Sequence, residues 1–232
     1  MTQALEGLER AMQLATQDGL PVATAAGCRG RRASRYLTPD PDAERQTALR
    51  LAARASNLNA GDLLTEVMLA SAYTLAHDLD AATRHTARAL MLDGGPAWAR
   101  GRSGWNHAFR GAANEAIEHS QIARSLAPAD PLSYSWSTGI GSAHFMAGRY
   151  KEAASWYRRV LVERPKGIWV NRFLSASCVL ADRKEKARRS FAEFTRAYPD
   201  LTVAQVTGAL PYTPSFLDQV AEGLASVGMR FS

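Results

Sequence analysis

The chain has 232 residues, of which 46% are hydrophobic and 22% are charged. These proportions are typical of a folded protein with a sizeable core and exclude intrinsic disorder. The 28 Lys and Arg residues outnumber the 22 Asp and Glu residues, which gives a formal net charge of +6. This modest excess is compatible with long-range attraction of an acidic partner or of a nucleic acid, but it is too small to establish either.

The cysteines and the first residues bear on the cellular compartment. Cys28 and Cys178 lie near opposite ends of the chain, so a disulfide bond between them is not expected. Residues 1–19 hold acidic side chains and no basic stretch followed by an apolar core, so no secretory signal is expected. No run of about 18 apolar residues occurs, so neither a membrane span nor a membrane partner is predicted. We therefore predict a cytoplasmic protein.

The first predicted elements are helices. Residues 1–19 carry apolar side chains spaced as on one face of a helix. A looser pair of helices follows, over residues 20–37 and 42–57. Pro39 and Pro41 cannot lie inside a helix. The break between the two helices of this pair is therefore predicted at residues 38–41.

Four similar units follow. Pro128, Pro165 and Pro199 each close a segment rich in Arg and Ala, at spacings of 37 and then 34 residues. Counting back from them, with Gly94 in the place of a fourth proline, gives units at residues 63–96, 97–130, 134–167 and 168–201. The position where paired helices cross needs a small side chain, and every unit has Ala there: Ala82, Ala116, Ala153 and Ala187. The turns between paired helices are predicted at His77-Asp78, Arg110-Gly111, Ala147-Gly148 and Ala181-Asp182.

After Pro199 the pattern changes. Residues 201–210 predict a short helix, and residues 211–214 a turn. A final helix is predicted over residues 215–227, with one apolar face made by Phe216, Val220 and Leu224.

These matches resemble the tetratricopeptide-repeat (TPR) family, whose unit is an antiparallel helix pair of about 34 residues. The resemblance implies an all-α, right-handed superhelical solenoid of antiparallel helix pairs, with residues 1–232 as a single domain. Residues 1–19 then correspond to the second helix of a half repeat, 20–60 to a degenerate repeat and 202–232 to a C-terminal cap. Because stacked repeats need capping units, the half repeat implies further residues upstream or a second copy of the chain on this end. A homodimer through the uncapped end is thus one predicted partnership.

The ending is also similar to the tail of certain bacterial regulators. It has Leu201-Thr202-Val203-Ala204 and then Leu210-Pro211-Tyr212 before a Phe-containing helix and Gly228. In those proteins a class III adenylate cyclase or a winged-helix DNA-binding domain precedes such repeats. Neither of those domains is visible in this sequence.

The residue types that carry catalysis or hold cofactors occur here in patterns that favour a structural role. No GxGxxG, GxxxxGK[ST], HExxH or GxSxG pattern occurs. The five histidines include no i, i+4 pair, and Cys178 falls at a repeat position that is buried in this family, so structural roles are preferred for all of them. Two basic clusters, Arg29 to Arg35 and Arg183 to Arg189, are interpreted as solvated faces. No enzyme activity, cofactor or metal is predicted, and a nucleic-acid partner is not expected.

The predicted binding surface is the concave groove that first helices line in this family. Trp, Phe and Met side chains bury large areas at small entropic cost, and Arg102 is placed to meet a peptide carboxylate. The candidate groove residues are Trp98, Arg102, Trp105, Phe109, Thr138, Ser142, Phe145, Met146, Trp169 and Arg172. An equally weighted alternative is that Trp98 and Trp169 pack between neighbouring units. The Lys and Asn set that grips chaperone tails in some family members is absent.

We therefore predict a non-catalytic module that binds another protein or a peptide segment in its concave groove. The alternative is the C-terminal regulatory part of a bacterial signalling enzyme or transcription regulator. Direct nucleic-acid binding ranks below both.

Overall fold

The structure, a computed structural model, describes residues 2–58, 61–92 and 96–231. Within these ranges all the regular elements are helical, in agreement with the all-α prediction. The helices are α1 Thr2–Leu14, α2 Gly19–Ser34, α3 Pro41–Leu58, α4 Leu63–Leu75, α5 Leu79–Met91, α6 Ala97–Phe109, α7 Ala113–Leu126, α8 Ser133–Met146, α9 Tyr150–Glu163, α10 Asn171–Leu180, α11 Lys184–Ala197, α12 Val203–Thr207 and α13 Pro214–Ala225. A short 3-10 turn, Ile168–Val170, precedes α10. Gly94, which takes the place of a fourth proline in the repeat register, lies outside the described residues.

The contacts divide the chain into two compact units. Unit 1 comprises Met1–Asn106 with Ala209–Pro211, and unit 2 comprises His107–Gly208 with Tyr212–Ser232. The first helices of the pairs are α2, α4, α6, α8 and α10, and each is followed by the second helix of its pair. The organisation of residues 1–232 as one solenoid stays a prediction.

In unit 1, aspartates start the helices and small residues let them pack closely. Asp18, Asp62 and Asp78 each accept a hydrogen bond at 2.9 Å from a backbone N–H in the first turn of α2, α4 and α5 respectively. The core between α2, α3 and α4 is rich in alanine and holds Val22, Ala23, Ala26, Ala52, Ala55, Leu69 and Ala72. Helices whose contact surfaces carry such small side chains approach closely, which explains the tight packing of α2 on its neighbours.

The break in the loose helix pair differs slightly from the prediction. Pro41 is the first residue of α3 rather than part of the turn. Asp40 caps this helix, because its side chain accepts a hydrogen bond of 2.9 Å from the N–H of Ala43. Proline is tolerated at the first helical position, where its missing N–H would have no intrahelical partner.

In unit 2, the helix pairs α8–α9 and α10–α11 cross at small residues. The predicted crossing residues Ala116, Ala153 and Ala187 are fully buried, as is Ala82 in unit 1. Ser175 of α10 donates a hydrogen bond of 3.0 Å to the carbonyl of Ala187, which fixes the crossing of the last pair.

The predicted turns are confirmed by the backbone. His77 in unit 1 and Gly111, Gly148 and Asp182 in unit 2 have φ values of 70°, 85°, 71° and 53°. A residue with a left-handed backbone conformation at this position ends one helix and turns the chain back into the next helix. The four turns between paired helices therefore lie where the sequence predicts them, and the bounds of the repeats stay a prediction.

The helices after Pro199 are shorter than predicted, since α12 covers five residues. Their apolar face is as predicted, because Phe216, Val220 and Leu224 are at most 1% exposed. Thr202 and Gln205 form a capping box that starts α12.

The crossing position tolerates no larger side chain. We expect Ala187→Leu to lower the free energy of unfolding by about 1–3 kcal/mol, because the added atoms force the two helices apart. Urea unfolding measures this loss. Ala192→Leu, an exposed position on the same helix, is the control and should change stability by less than about 0.5 kcal/mol. Equal effects of the two changes would contradict the assignment of Ala187 to the crossing.

Candidate functional site on the first helices

In unit 2 the face formed by the first helices is covered by the chain itself. Residues 212–225, called here the C-terminal segment, lie across this face, and α13 packs on α10. The ring of Phe216 lies 4.9 Å from that of Phe145 on α8 and 5.8 Å from that of Phe173 on α10. Tyr212 stacks on Phe216 at 3.9 Å and lies 4.6 Å from Phe109. One continuous aromatic cluster thus joins the C-terminal segment to three first helices.

Hydroxyl groups complete this contact. The Oγ of Ser142 lies 2.8 Å from the hydroxyl of Tyr212 and 3.0 Å from that of Tyr157. Burial raises the pKa of both tyrosines above the ordinary value, and in Tyr157 the neighbouring Tyr212 adds to the effect. Both phenols are therefore neutral at physiological pH. The three hydroxyl groups hydrogen-bond to one another, so none of them is left without a partner in an otherwise apolar contact.

Arg172 lies inside unit 2 rather than on its surface. Its side chain is 1% exposed, and its guanidinium carbon lies 4.5 Å from the ring centre of Phe173 and 5.9 Å from that of Trp169. These are cation–π distances. Arg172 thus stabilises the aromatic cluster from within.

The approach of α13 to α10 is close enough to involve the backbone. A Cβ atom on Gly223 would lie 2.7 Å from the Cα of Ala176. Such a distance requires glycine at this position, because a backbone atom cannot move aside as the end of a side chain can. The docking of the C-terminal segment is therefore specific in its register.

The structure separates the ten predicted groove residues into two groups. In unit 2, Met146 is half-buried and six others are buried: Phe109, Thr138, Ser142, Phe145, Trp169 and Arg172. In unit 1, Trp98 and Arg102 are half-buried, and Trp105 is 9% exposed. In unit 2 the C-terminal segment contacts Phe109, Ser142 and Phe145 of this group. In unit 1 the side chains of Trp98 and Arg102 are partly exposed to solvent.

One feature of the unit 2 face is not predicted from the sequence. The sequence analysis includes Tyr212 and Phe216 in a C-terminal cap but does not predict their contacts with Phe109, Phe145 and Phe173. Two aromatic residues four apart are a signal for a segment that packs on other aromatic residues.

The titratable groups form structural pairs. Glu66, 1% exposed, lies 2.7 Å from Nδ1 of His85, which stacks on Tyr73 at 5.2 Å. The rings of His107 and His119 lie 5.3 Å apart. Among the described residues, no three His, Cys, Asp or Glu side chains are grouped so as to hold a metal ion. None of the helices in the described part of the chain has the length and apolar character needed to cross a bilayer.

Phe216 is the centre of the contact between the C-terminal segment and the first helices. We expect Phe216→Ala to lower the free energy of unfolding by about 3–5 kcal/mol, since a fully buried aromatic ring is lost. Chemical unfolding gives the total, and hydrogen exchange of α13 shows where protection is lost. Ser215→Ala, at an exposed position of the same helix, should leave both measurements unchanged. Retained protection of α13 in the Phe216 variant would argue against this packing.

The two free thiols differ in environment. Burial raises the pKa of Cys178, which is 0% exposed, whereas Cys28 is half-buried. We expect iodoacetamide to modify Cys28 first and Cys178 only after unfolding, because the thiolate is the reactive form. Mass spectrometry of partly labelled protein follows both sites. Early labelling of Cys178 in folded protein would be incompatible with its burial.

The repeated helix pairs, the alanine crossings and the left-handed turns define the tetratricopeptide-repeat fold. Solved structures show the same fold. The type IV pilus biogenesis factor PilW aligns over 86% of this chain and 86% of its own, with a TM-score of 0.61 and 17% identity. PilF of Pseudomonas aeruginosa aligns over 88% of each chain, with a TM-score of 0.57 and 13% identity. The predicted fold class is thereby confirmed.

A larger assembly is also similar. The APC/C hetero-tetramer Cut9–Hcn1 aligns over 98% of this chain, with a TM-score of 0.69 and 12% identity, and this chain spans 39% of that one. No family model and no curated protein sequence matches the chain. The similarity of its ending to bacterial cyclase-type and winged-helix regulators stays a prediction.

Proposed function

We propose that the protein is a non-catalytic interaction module that binds a segment of another protein on the face formed by its first helices. The observation that carries this proposal is the C-terminal segment itself. In unit 2 a stretch of polypeptide lies on that face, held by the ring contacts of Tyr212 and Phe216 and by the hydroxyl of Ser142. A surface that accepts one polypeptide in this way has the chemistry to accept another.

Each unit contributes differently to the proposed binding. The unit 1 residues Trp98, Arg102 and Trp105 would engage the partner directly. The unit 2 residues, from Phe109 to Arg172, would bind the partner after it displaces the C-terminal segment. The C-terminal segment then competes with the partner for this face. The partner's affinity for unit 2 is reduced by the free energy that holds this segment.

The similar structures support a role in protein assembly. PilW is described as a biogenesis factor of the type IV pilus, and Cut9–Hcn1 is a hetero-tetramer. A cytoplasmic location and a partner that is neither membrane nor nucleic acid remain part of the proposal. The exposed cations of α11 support the latter, since Arg188 and Arg196 are each already 2.8 Å from a carboxylate on the same helix.

Removal of apolar side chains from the unit 1 face tests this function. We expect the double variant Leu64→Ala, Trp98→Ala to lose most of the protein retained by the immobilised chain from a lysate of its own organism, because Leu64 is 46% exposed and Trp98 is half-buried. Quantitative mass spectrometry of the retained fraction is the measurement.

The matched control is Met91→Ala, which removes an apolar side chain that is 77% exposed on the second helix α5 of the same unit. It should retain the same proteins as the wild type. If the double variant and the control behave alike, the first-helix face is not the binding surface.

A further inference from the structure

The C-terminal segment contacts unit 2 through residues that recur every four positions. Tyr212, Phe216, Val220 and Leu224 are at most 5% exposed. Gly223, beside the last of them, lets the backbone of α13 come close to α10. Positions four apart lie on one face of an α-helix. The segment therefore lies on the first helices as an amphipathic helix lies in a groove.

The contact at Tyr212 needs both parts of its side chain. The ring stacks on Phe216 at 3.9 Å and lies 4.6 Å from Phe109. The hydroxyl lies 2.8 Å from the Oγ of Ser142, which is 0% exposed and is also 3.0 Å from the hydroxyl of Tyr157. Phenylalanine at this place would supply the ring contacts but not the hydrogen bond to Ser142. The site thus distinguishes tyrosine from phenylalanine.

The position of α13 in the chain makes the C-terminal segment displaceable. It is the last helix in the described part of the chain, and the face that carries Ser215, Asp218 and Glu222 is exposed to solvent. The side chain of Thr213 does not cap its first turn. A terminal helix opens at a lower free energy than the whole protein does. A competing segment can therefore replace it without unfolding the helix pairs of unit 2.

We propose that unit 2 binds an amphipathic helix of the partner that repeats the pattern of the C-terminal segment. The pattern is a tyrosine, an aromatic residue four positions later, apolar residues after eight and twelve positions, and a small residue after eleven. Ser142 selects the tyrosine, and the C-terminal segment covers the face until such a helix displaces it. This inference rests on the proposed function and names the chemistry of the partner for unit 2.

A different protein fits this role better than a second copy of the chain does. When two copies exchange their C-terminal segments, the contacts that are broken and the contacts that are formed are identical. A tethered segment has an effective concentration on the order of 1 mM, so such an exchange becomes favourable only near that concentration. A partner helix with additional contacts has no such limit.

The first test uses a synthetic peptide with the sequence of residues 210–227 and the full chain carrying Gly223→Leu. This change displaces α13, since a Cβ atom at Gly223 would lie 2.7 Å from the Cα of Ala176, and it leaves the first helices unaltered. We expect the variant to bind the peptide more than about tenfold tighter than the wild type does, because the competing segment is removed. Phe216→Ala should act in the same direction. Fluorescence anisotropy of the labelled peptide measures the affinities.

The matched control is Ser215→Leu, which adds the same side chain at an exposed position of α13. It should bind the peptide as weakly as the wild type does. A peptide that binds neither opened variant overturns the inference. The proposed function is then still decided separately, by the retention experiment on the unit 1 face.

Replacement of the tyrosine tests the role of Ser142. The peptide with Tyr212→Phe should bind the opened chain about 3- to 10-fold more weakly, since one buried hydrogen bond is lost. In the opened chain that also carries Ser142→Ala, the altered peptide should bind at least as tightly as the original one. Ser155→Ala, at an exposed position of α9, is the control and should keep the preference for tyrosine. Equal affinities of the two peptides in every chain would remove Ser142 from its role.

Selection from random eighteen-residue peptides displayed on phage tests the pattern without the chain's own sequence. With the Gly223→Leu chain as bait, tyrosine followed four positions later by an aromatic residue should be enriched. Enriched peptides that lack this spacing overturn the proposed pattern. Reversible dimers of the wild-type chain at micromolar concentration, detected by sedimentation, would assign the face to a second copy and overturn the partner helix.

Hydrogen exchange of the wild-type chain guards against variants that fold poorly. The peptide of residues 210–227, added at about 1 mM, should raise the exchange of the α13 amides, because it takes the place of that helix. The amides of α5 in unit 1 should exchange as before. Unchanged exchange of α13 under these conditions overturns the displacement, whatever the variants do.

Discussion

The close crossing of paired helices at small residues is the constraint on which the rest of the structure depends. At the four alanine positions only a methyl group lies between the paired helices. The backbones therefore come close together, and larger side chains nearby pack between them. Gly141 shows the same constraint on a first helix, since a Cβ atom there would lie 2.9 Å from the ring of Tyr157. Because the crossings are fixed, the first helices within each unit are held side by side. Their side chains together form one face of that unit.

The use made of that face differs between the two units. In unit 2 it is filled by aromatic rings of the C-terminal segment, and the buried Arg172 rests on aromatic rings. In unit 1 the side chains of Trp98 and Arg102 are half-buried, and that of Leu64 is 46% exposed. The first face is covered by the chain itself, whereas the second keeps side chains with access to solvent. We therefore expect unit 1 to make the initial contact with a partner and unit 2 to respond.

The repeat architecture was predictable because periodic packing leaves a periodic record. Ala82, Ala116, Ala153 and Ala187 could be read directly, and His77 and Asp182 marked turns even though neither is glycine. The packing of the C-terminal segment on the first helices of unit 2 was not predictable. Phe216, Val220 and Leu224 define an apolar face, but periodicity does not say which surface that face covers.

The contact between Phe109 and Tyr212 also bears on how the chain folds. Helical repeats owe their speed of folding to contacts between residues close in sequence, whereas these two rings are about a hundred residues apart. During synthesis the aromatic residues on the first helices of unit 2 are therefore made before the C-terminal segment that packs on them. In that interval Phe109, Phe145 and Phe173 are exposed together, and a nascent chain in this state is a natural client for chaperones.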